Sequence, residues 1–114
     1  MILLDTSVVV DHVRGRDAKL KSLIPTLPAA VCGVSRAELL CGARTPAERQ
    51  ALVTALGTYR QVPIPGALWD TVGDHLAALR AAGVSVPFPD VVTATIAIAN
   101  GIELWARDQH FPLI

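Results

Sequence analysis

The apolar residues at the candidate strand positions of this chain come in very short runs, and each run stops at a helix signal or a carboxylate. Ile2-Leu3-Leu4 ends at Asp5, Ala29–Cys32 precedes a segment opening at Ser35, and residues 102–106 lead into Arg107-Asp108. Runs this short, apolar on successive residues, suit strands buried on both faces. Residues 61–64, limited by Pro63 and Pro65, form a weaker strand candidate. Short strands alternating with helices restrict the chain to an α/β fold on a parallel sheet with right-handed crossovers. In such sheets the functional crevice lies beyond the carboxyl ends of the strands.

The intervening segments carry helix signals. Asp5-Thr6-Ser7 offers N-cap residues for a helix over about 7–13, which Arg14-Gly15-Arg16 breaks. A second helix is expected from Asp17 through Leu20 and Leu23, ending before Pro25. A third runs from Ser35 to about Ala43, and Pro46 stands in the first turn of a fourth that reaches about Leu56. Leu68, Val72, Leu76 and Leu79 repeat at helical spacing and Gly83 follows as a stop. The segment from Asp90 to Asn100-Gly101 is apolar almost all round, so a buried helix is expected there.

The 114 residues fit a single domain, 1–114, with 52% apolar and 18% charged residues. Lys plus Arg equals Asp plus Glu at 10 each, which excludes binding of nucleic acid by bulk positive charge. The longest stretch free of charged residues, 22–35, contains Pro25 and Pro28 and is too short to cross a bilayer. No basic leader precedes the apolar start, so a cytoplasmic domain is expected. Cys32 and Cys41 lack zinc-site spacing and are too few for a disulfide scaffold, so both are expected as small buried hydrophobes.

Four of the acidic residues sit at element ends. Asp5 and Asp108 follow strands, whereas Glu38 and Asp90 lie in first turns of helices. Each has an ordinary explanation: Asp5 as an N-cap, Asp90 as a first-turn acid, Asp108 as a turn former, and Glu38 as the partner of Ser35 in a capping box. Together they suggest more, because carboxylates ending two central strands would meet at the crevice. Carboxylates so grouped repel one another, and Mg²⁺ or Mn²⁺ is the hard cation that neutralises them. An ion held there activates water and stabilises charge on a scissile phosphate.

Leu3-Leu4-Asp5-Thr6-Ser7, Ser35-Arg36-Ala37-Glu38-Leu39, Pro89-Asp90 before an Ala/Thr-rich apolar helix, and Arg107-Asp108-Gln109-His110-Phe111 together resemble the PIN domain. More narrowly they resemble VapC toxins, the ribonuclease halves of bacterial type II toxin–antitoxin pairs. The resemblance covers nearly the whole chain. It implies a three-layer α/β/α fold with a short parallel sheet, and an acidic quartet of Asp5, Glu38, Asp90 and Asp108 that supports RNA hydrolysis with Mg²⁺ or Mn²⁺. Within that quartet Asp5, Asp90 and Asp108 are the implied metal ligands, and Thr6 is a supporting hydroxyl. A VapB-type antitoxin and a homodimer are implied as partners. Two departures stand out: Ala106 where the family often has Thr or Ser, and Pro112-Leu113-Ile114 as a stunted final edge strand.

Other residues have structural explanations. His12 and His75 are expected on helices, and His110 beside Phe111 in a turn. Arg14, Arg16, Lys19 and Lys21 form a basic stretch that reads as a solvated helix face, with RNA phosphates as the other use. Trp69 is expected to cover the core from a helix and Trp105 to lie inside a strand; base stacking is the functional alternative. The alternative to a ribonuclease is a non-catalytic Mg-binding α/β regulatory or interaction module. A receiver-like version would need a late Lys, and none follows Lys21.

Overall fold

The computed structural model describes residues 1–15 and 17–107; Arg16 and residues 108–114 lie outside the description. Asp108, His110 and the expected segment Pro112-Leu113-Ile114 therefore fall beyond it. In chain order the elements are β1 (Ile2–Leu4), α1 (Thr6–Val13), α2 (Ala18–Leu23) and a 3-10 turn (Ile24–Thr26). They continue with β2 (Ala29–Cys32), α3 (Gly33–Cys41), α4 (Pro46–Leu56), β3 (Arg60–Val62), α5 (Leu68–Ala81), α6 (Phe88–Asn100) and β4 (Glu103–Trp105). The strands form one parallel sheet in the order β3-β2-β1-β4.

Strand alternation builds the three layers. Ile2, Leu4, Ala29 and Val31 face one side and meet Val8, Val9, Leu20 and Leu56 from α1, α2 and α4. Leu3, Ala30, Cys32 and Val62 face the other and meet Val72, Val91, Val92 and Ile96 from α5 and α6. Both faces of the sheet are covered, which is why the strands β1 and β2 are apolar at every position. Leu3, Leu4 and Val31 are fully buried, and each contributes about 1.5–3 kcal/mol through removal from water.

Helix α6 carries the burial expected of it: Val91 through Ala97 are all buried. Its two buried hydroxyls are satisfied within the helix, Thr93 donating to Pro89 O at 3.0 Å and Thr95 to Val91 O at 2.7 Å. Gly101 ends the helix with φ +61°, a conformation glycine adopts without strain, and Ile102 N–H returns to Ala97 O at 3.1 Å. The chain then enters β4 at its amino end. The crossover has thus brought α6 back along the sheet, so its first turn lies toward the carboxyl edge.

Several expectations need correction. Helix α3 starts at Gly33, with Cys32 as N-cap and no side-chain cap bond, so Ser35 and Glu38 form no capping box. Ser35 is instead fully buried inside the helix. Helix α6 starts at Phe88, before Asp90, because Pro89 is tolerated in a first helical turn. Strand β3 covers Arg60–Val62 and stops before Pro63, which has no N–H for a ladder bond. Strand β4 flanks β1 at an edge of the described sheet, where two central strands were expected to end in carboxylates.

Trp69 does not cover the core. It is 46% exposed and lies parallel to the equally exposed Phe88, ring centroids 6.5 Å apart. Cys32 is buried as expected, but Cys41 at the end of α3 is exposed. Trp105 lies in β4 as expected. His12 pairs with Tyr59 Oη, and His75 Nδ1 with Thr95 Oγ1 at 2.8 Å, so both histidines serve helix packing. Among the described residues no helix is long and apolar enough to cross a membrane.

Candidate functional site

The site is built outward from the end of β1. Asp5 follows Leu4 directly, and its N–H donates to Trp105 O at 2.9 Å, so β1 and β4 end side by side. The carboxylate caps α1: Oδ2 accepts from Ser7 N at 3.1 Å and from Ser7 Oγ at 2.6 Å. The capping role is therefore real, yet it occupies one oxygen. Among the described residues no hydrogen bond reaches Oδ1. Asp5 is only 6% exposed, so its charge sits in a largely desolvated place at the strand end.

Glu38 reaches the same place from α3. Thr6 Oγ1 donates to Glu38 Oε1 at 2.8 Å and lies 3.2 Å from Ser35 Oγ, which lies 3.5 Å from Leu4 O. A carboxylate only accepts, so the Thr6 proton goes to Glu38 and Ser35 donates to Thr6 Oγ1 or to the Leu4 carbonyl. The absence of a capping box frees Glu38 for this contact. Asp90, partly buried in the first turn of α6, stands at the same edge of the sheet. Asp108 lies outside the described residues.

Arg107, the residue before Asp108, is heavily tethered. Its Nε lies 2.6 Å from Asp11 Oδ2, its Nη2 pairs with Asp17 Oδ2, and its N–H donates to Ser7 Oγ at 3.1 Å. Asp17 also caps α2, its Oδ1 accepting from Lys19 N at 2.9 Å and Leu20 N at 3.3 Å. The Arg107 guanidinium and these backbone N–H groups hold the Asp17 carboxyl below its usual range. Ser7 thus supplies a hydroxyl next to the Arg107 peptide, close to where Ala106 offers none. Sequence reasoning does not single out Ser7, Ser35 or Arg107 for the site. Their one signal is placement beside Asp5, Glu38 and Asp108.

Among the described residues no three His, Cys, Asp or Glu side chains converge into a metal-binding group. The expected ligand set includes Asp108, beyond the description. The carboxylates that are described provide hard oxygen donors, the chemistry that suits Mg²⁺ and Mn²⁺. Asp5 Oδ1 fits this role.

A groove of about 590 Å³ starts at this site and runs between α1, α3 and α4. Thr6 and Glu38 line it, Val10, Val13, Leu39 and Leu52 make it apolar, and Arg14 and Arg44 flank it.

The PIN-domain family model matches residues 2–114. Ribonuclease VapC10 of Mycobacterium tuberculosis is 31% identical over 117 residues, covering 99% of this chain and 87% of that protein. Two solved structures share the fold at lower identity. VapBC2 from Rickettsia felis, bound to a DNA fragment from its promoter, matches with TM-score 0.86 at 20% identity over 100% of this chain and 93% of that one. A toxin-antitoxin complex from Klebsiella pneumoniae matches with TM-score 0.74 at 20% identity, covering 95% and 87%.

Proposed function

The chain belongs to the PIN-domain family, and from that premise we propose that it is a metal-dependent endoribonuclease acting as the toxin of a toxin–antitoxin pair. The observation that carries this reading is the Asp5–Thr6–Glu38 arrangement. Two carboxylates from different elements are set at the end of β1, one capped through a single oxygen and the other aligned by the Thr6 hydroxyl. Its relative VapC10 is named a ribonuclease, which supports the same chemistry.

In this reading Asp5, Asp90 and Asp108 hold Mg²⁺ or Mn²⁺, and Glu38 completes the catalytic four. A bound ion of this kind supplies an activated water and neutralises charge on the scissile phosphate. The protein's share is orientation: Ser7 fixes the Asp5 carboxylate, and Thr6 fixes Glu38. RNA is the substrate, and the cytoplasm the place of action.

The groove that starts at Thr6 and Glu38 supports a VapB-type antitoxin as partner. A segment with an apolar face fills it, and an Arg at its end pairs with the carboxylates bidentately. A homodimer is the assembly proposed for the toxin itself. Expression of the chain alone should arrest growth of a bacterial host, and co-expression of its VapB-type partner should restore it. Growth unaffected by the chain, with the folded protein present, would contradict the toxin reading. A monomer at high concentration would contradict the dimer.

A further inference from the structure

The guanidinium of Arg107 joins three separate parts of the chain. Nε pairs with Asp11 in α1 and Nη2 with Asp17, the N-cap of α2. The Arg107 peptide N–H donates to Ser7 Oγ, and that hydroxyl donates to Asp5 Oδ2 at 2.6 Å. One side of this arrangement touches a proposed metal ligand, and the other fixes the backbone immediately before a second one. Arginine suits the place: its rigid fork presents separate N–H edges to two carboxylates, which the single ammonium of Lys does not do. Asp17 suits it too, because one oxygen caps α2 while the other is left for Arg107.

We propose that Arg107, held by Asp11 and Asp17, is a positioning residue that fixes the chain entering Asp108 and thereby sets the metal affinity of the site. The inference rests on the ribonuclease reading above. It adds that metal binding depends on an ion-pair clamp lying outside the carboxylate quartet. A carboxylate on a fastened backbone loses little freedom when it meets a cation, whereas one on a loose turn must be ordered at that moment. Removing partners that orient metal ligands weakens binding by about 10–100-fold. The clamp is half-exposed, with the Arg107 side chain 46% accessible, so it adds little to global stability.

The direction of the effect separates this role from plain electrostatics. Arg107 is a cation close to Asp5, so its removal should by charge alone tighten binding of a dication. Loss of the clamp should weaken it. Arg107→Met keeps the peptide N–H and much of the side-chain volume. The double variant Asp11→Asn/Asp17→Asn releases the guanidinium, while the amide that replaces the second carboxylate still caps α2. Mn²⁺ is titrated into the full-length wild type and both variants by calorimetry, with melting temperatures in EDTA as the check on folding.

The expected result is a Kd for Mn²⁺ about tenfold higher in both variants, with EDTA melting temperatures close to wild type. A Kd in Arg107→Met that is unchanged or lower overturns the clamp. A loss of melting temperature without a change in Kd overturns it as well, since that is what a purely structural tie would give. A wild type that binds no Mn²⁺ overturns the metal-dependent reading and the clamp's function with it. Tight binding by the wild type and equal binding by the variants overturns the clamp alone.

Discussion

Thr6 Oγ1 and Glu38 Oε1 lie 2.8 Å apart across 32 positions of sequence, and this contact links the first turn of α1 to α3 at the end of β1. Thr6 is the only residue between the strand-end carboxylate Asp5 and the turn hydroxyl Ser7, so its side chain and theirs are aimed by one short stretch of backbone. The Glu38 carboxylate is exposed and long, and the hydroxyl is what selects one orientation for it.

Thr6→Val keeps the shape of the side chain and removes that donor. RNA cleavage should fall by roughly 10–100-fold, while stability changes by less than about 1.5 kcal/mol. Parallel measurement of cleavage rate and thermal melting checks this. A variant that cleaves as fast as wild type would remove Thr6 from the site.

Asp5 combines capping with the proposed metal contact, and two substitutions separate the tasks. Asn caps a helix as well as Asp does, so Asp5→Asn should keep the fold and lose cleavage. Asp5→Ala should lose cleavage and also about 0.5–2 kcal/mol of stability. Denaturant melts of the two proteins decide the matter, and equal stabilities would show that the cap contributes nothing.

Asp17 has a folded-state pKa below its ordinary value of 3.8, caused first by the Arg107 hydrogen bond and then by the α2 backbone. The folded form therefore gives up this proton more readily than the unfolded form. The stabilising contribution is present above about pH 4 and is lost as pH falls through the depressed value. In melts from pH 6 down to pH 2, Asp17→Asn should lose less stability than wild type. Superimposable acid profiles would count against the ion pair.

Tyr59 behaves in the opposite sense. Burial raises its phenol above 10.0, so the unfolded chain ionises first and stability is lost as pH rises beyond that value. Tyr59→Phe removes the hydrogen bond to His12 at a cost of about 1 kcal/mol near neutral pH. Above pH 10 its stability should fall less steeply than that of wild type, and an unaltered alkaline slope would refute the assignment.

Strand and helix order is legible in the sequence because the physics is local. The runs at Ile2–Leu4 and Ala29–Cys32 are apolar on both faces, and a parallel sheet covered on both sides requires that. The stop at Asn100-Gly101 is readable for a similar reason, since the left-handed turn needs a glycine. The start of α3 is not. Ser35-Arg36-Ala37-Glu38 has the capping pattern, but the helix begins at Gly33 because Ser35 is drawn into the core beside Leu4 and Thr6. Trp69 escapes a sequence reading because helical spacing fixes a residue's row and not how far a neighbouring helix extends over it. Arg107 is invisible as a site residue because its partners Asp11 and Asp17 are near only in space.

Cleavage of RNA by the purified protein, assayed with Mn²⁺ and again with EDTA for wild type, Asp5→Asn and Asp90→Asn, tests the central claim most directly. Wild type should cleave in Mn²⁺ and stop in EDTA, and both variants should be inactive in Mn²⁺ while still melting cooperatively. Cleavage that persists in EDTA, or that survives in both folded variants, would contradict a metal-dependent site built on these carboxylates.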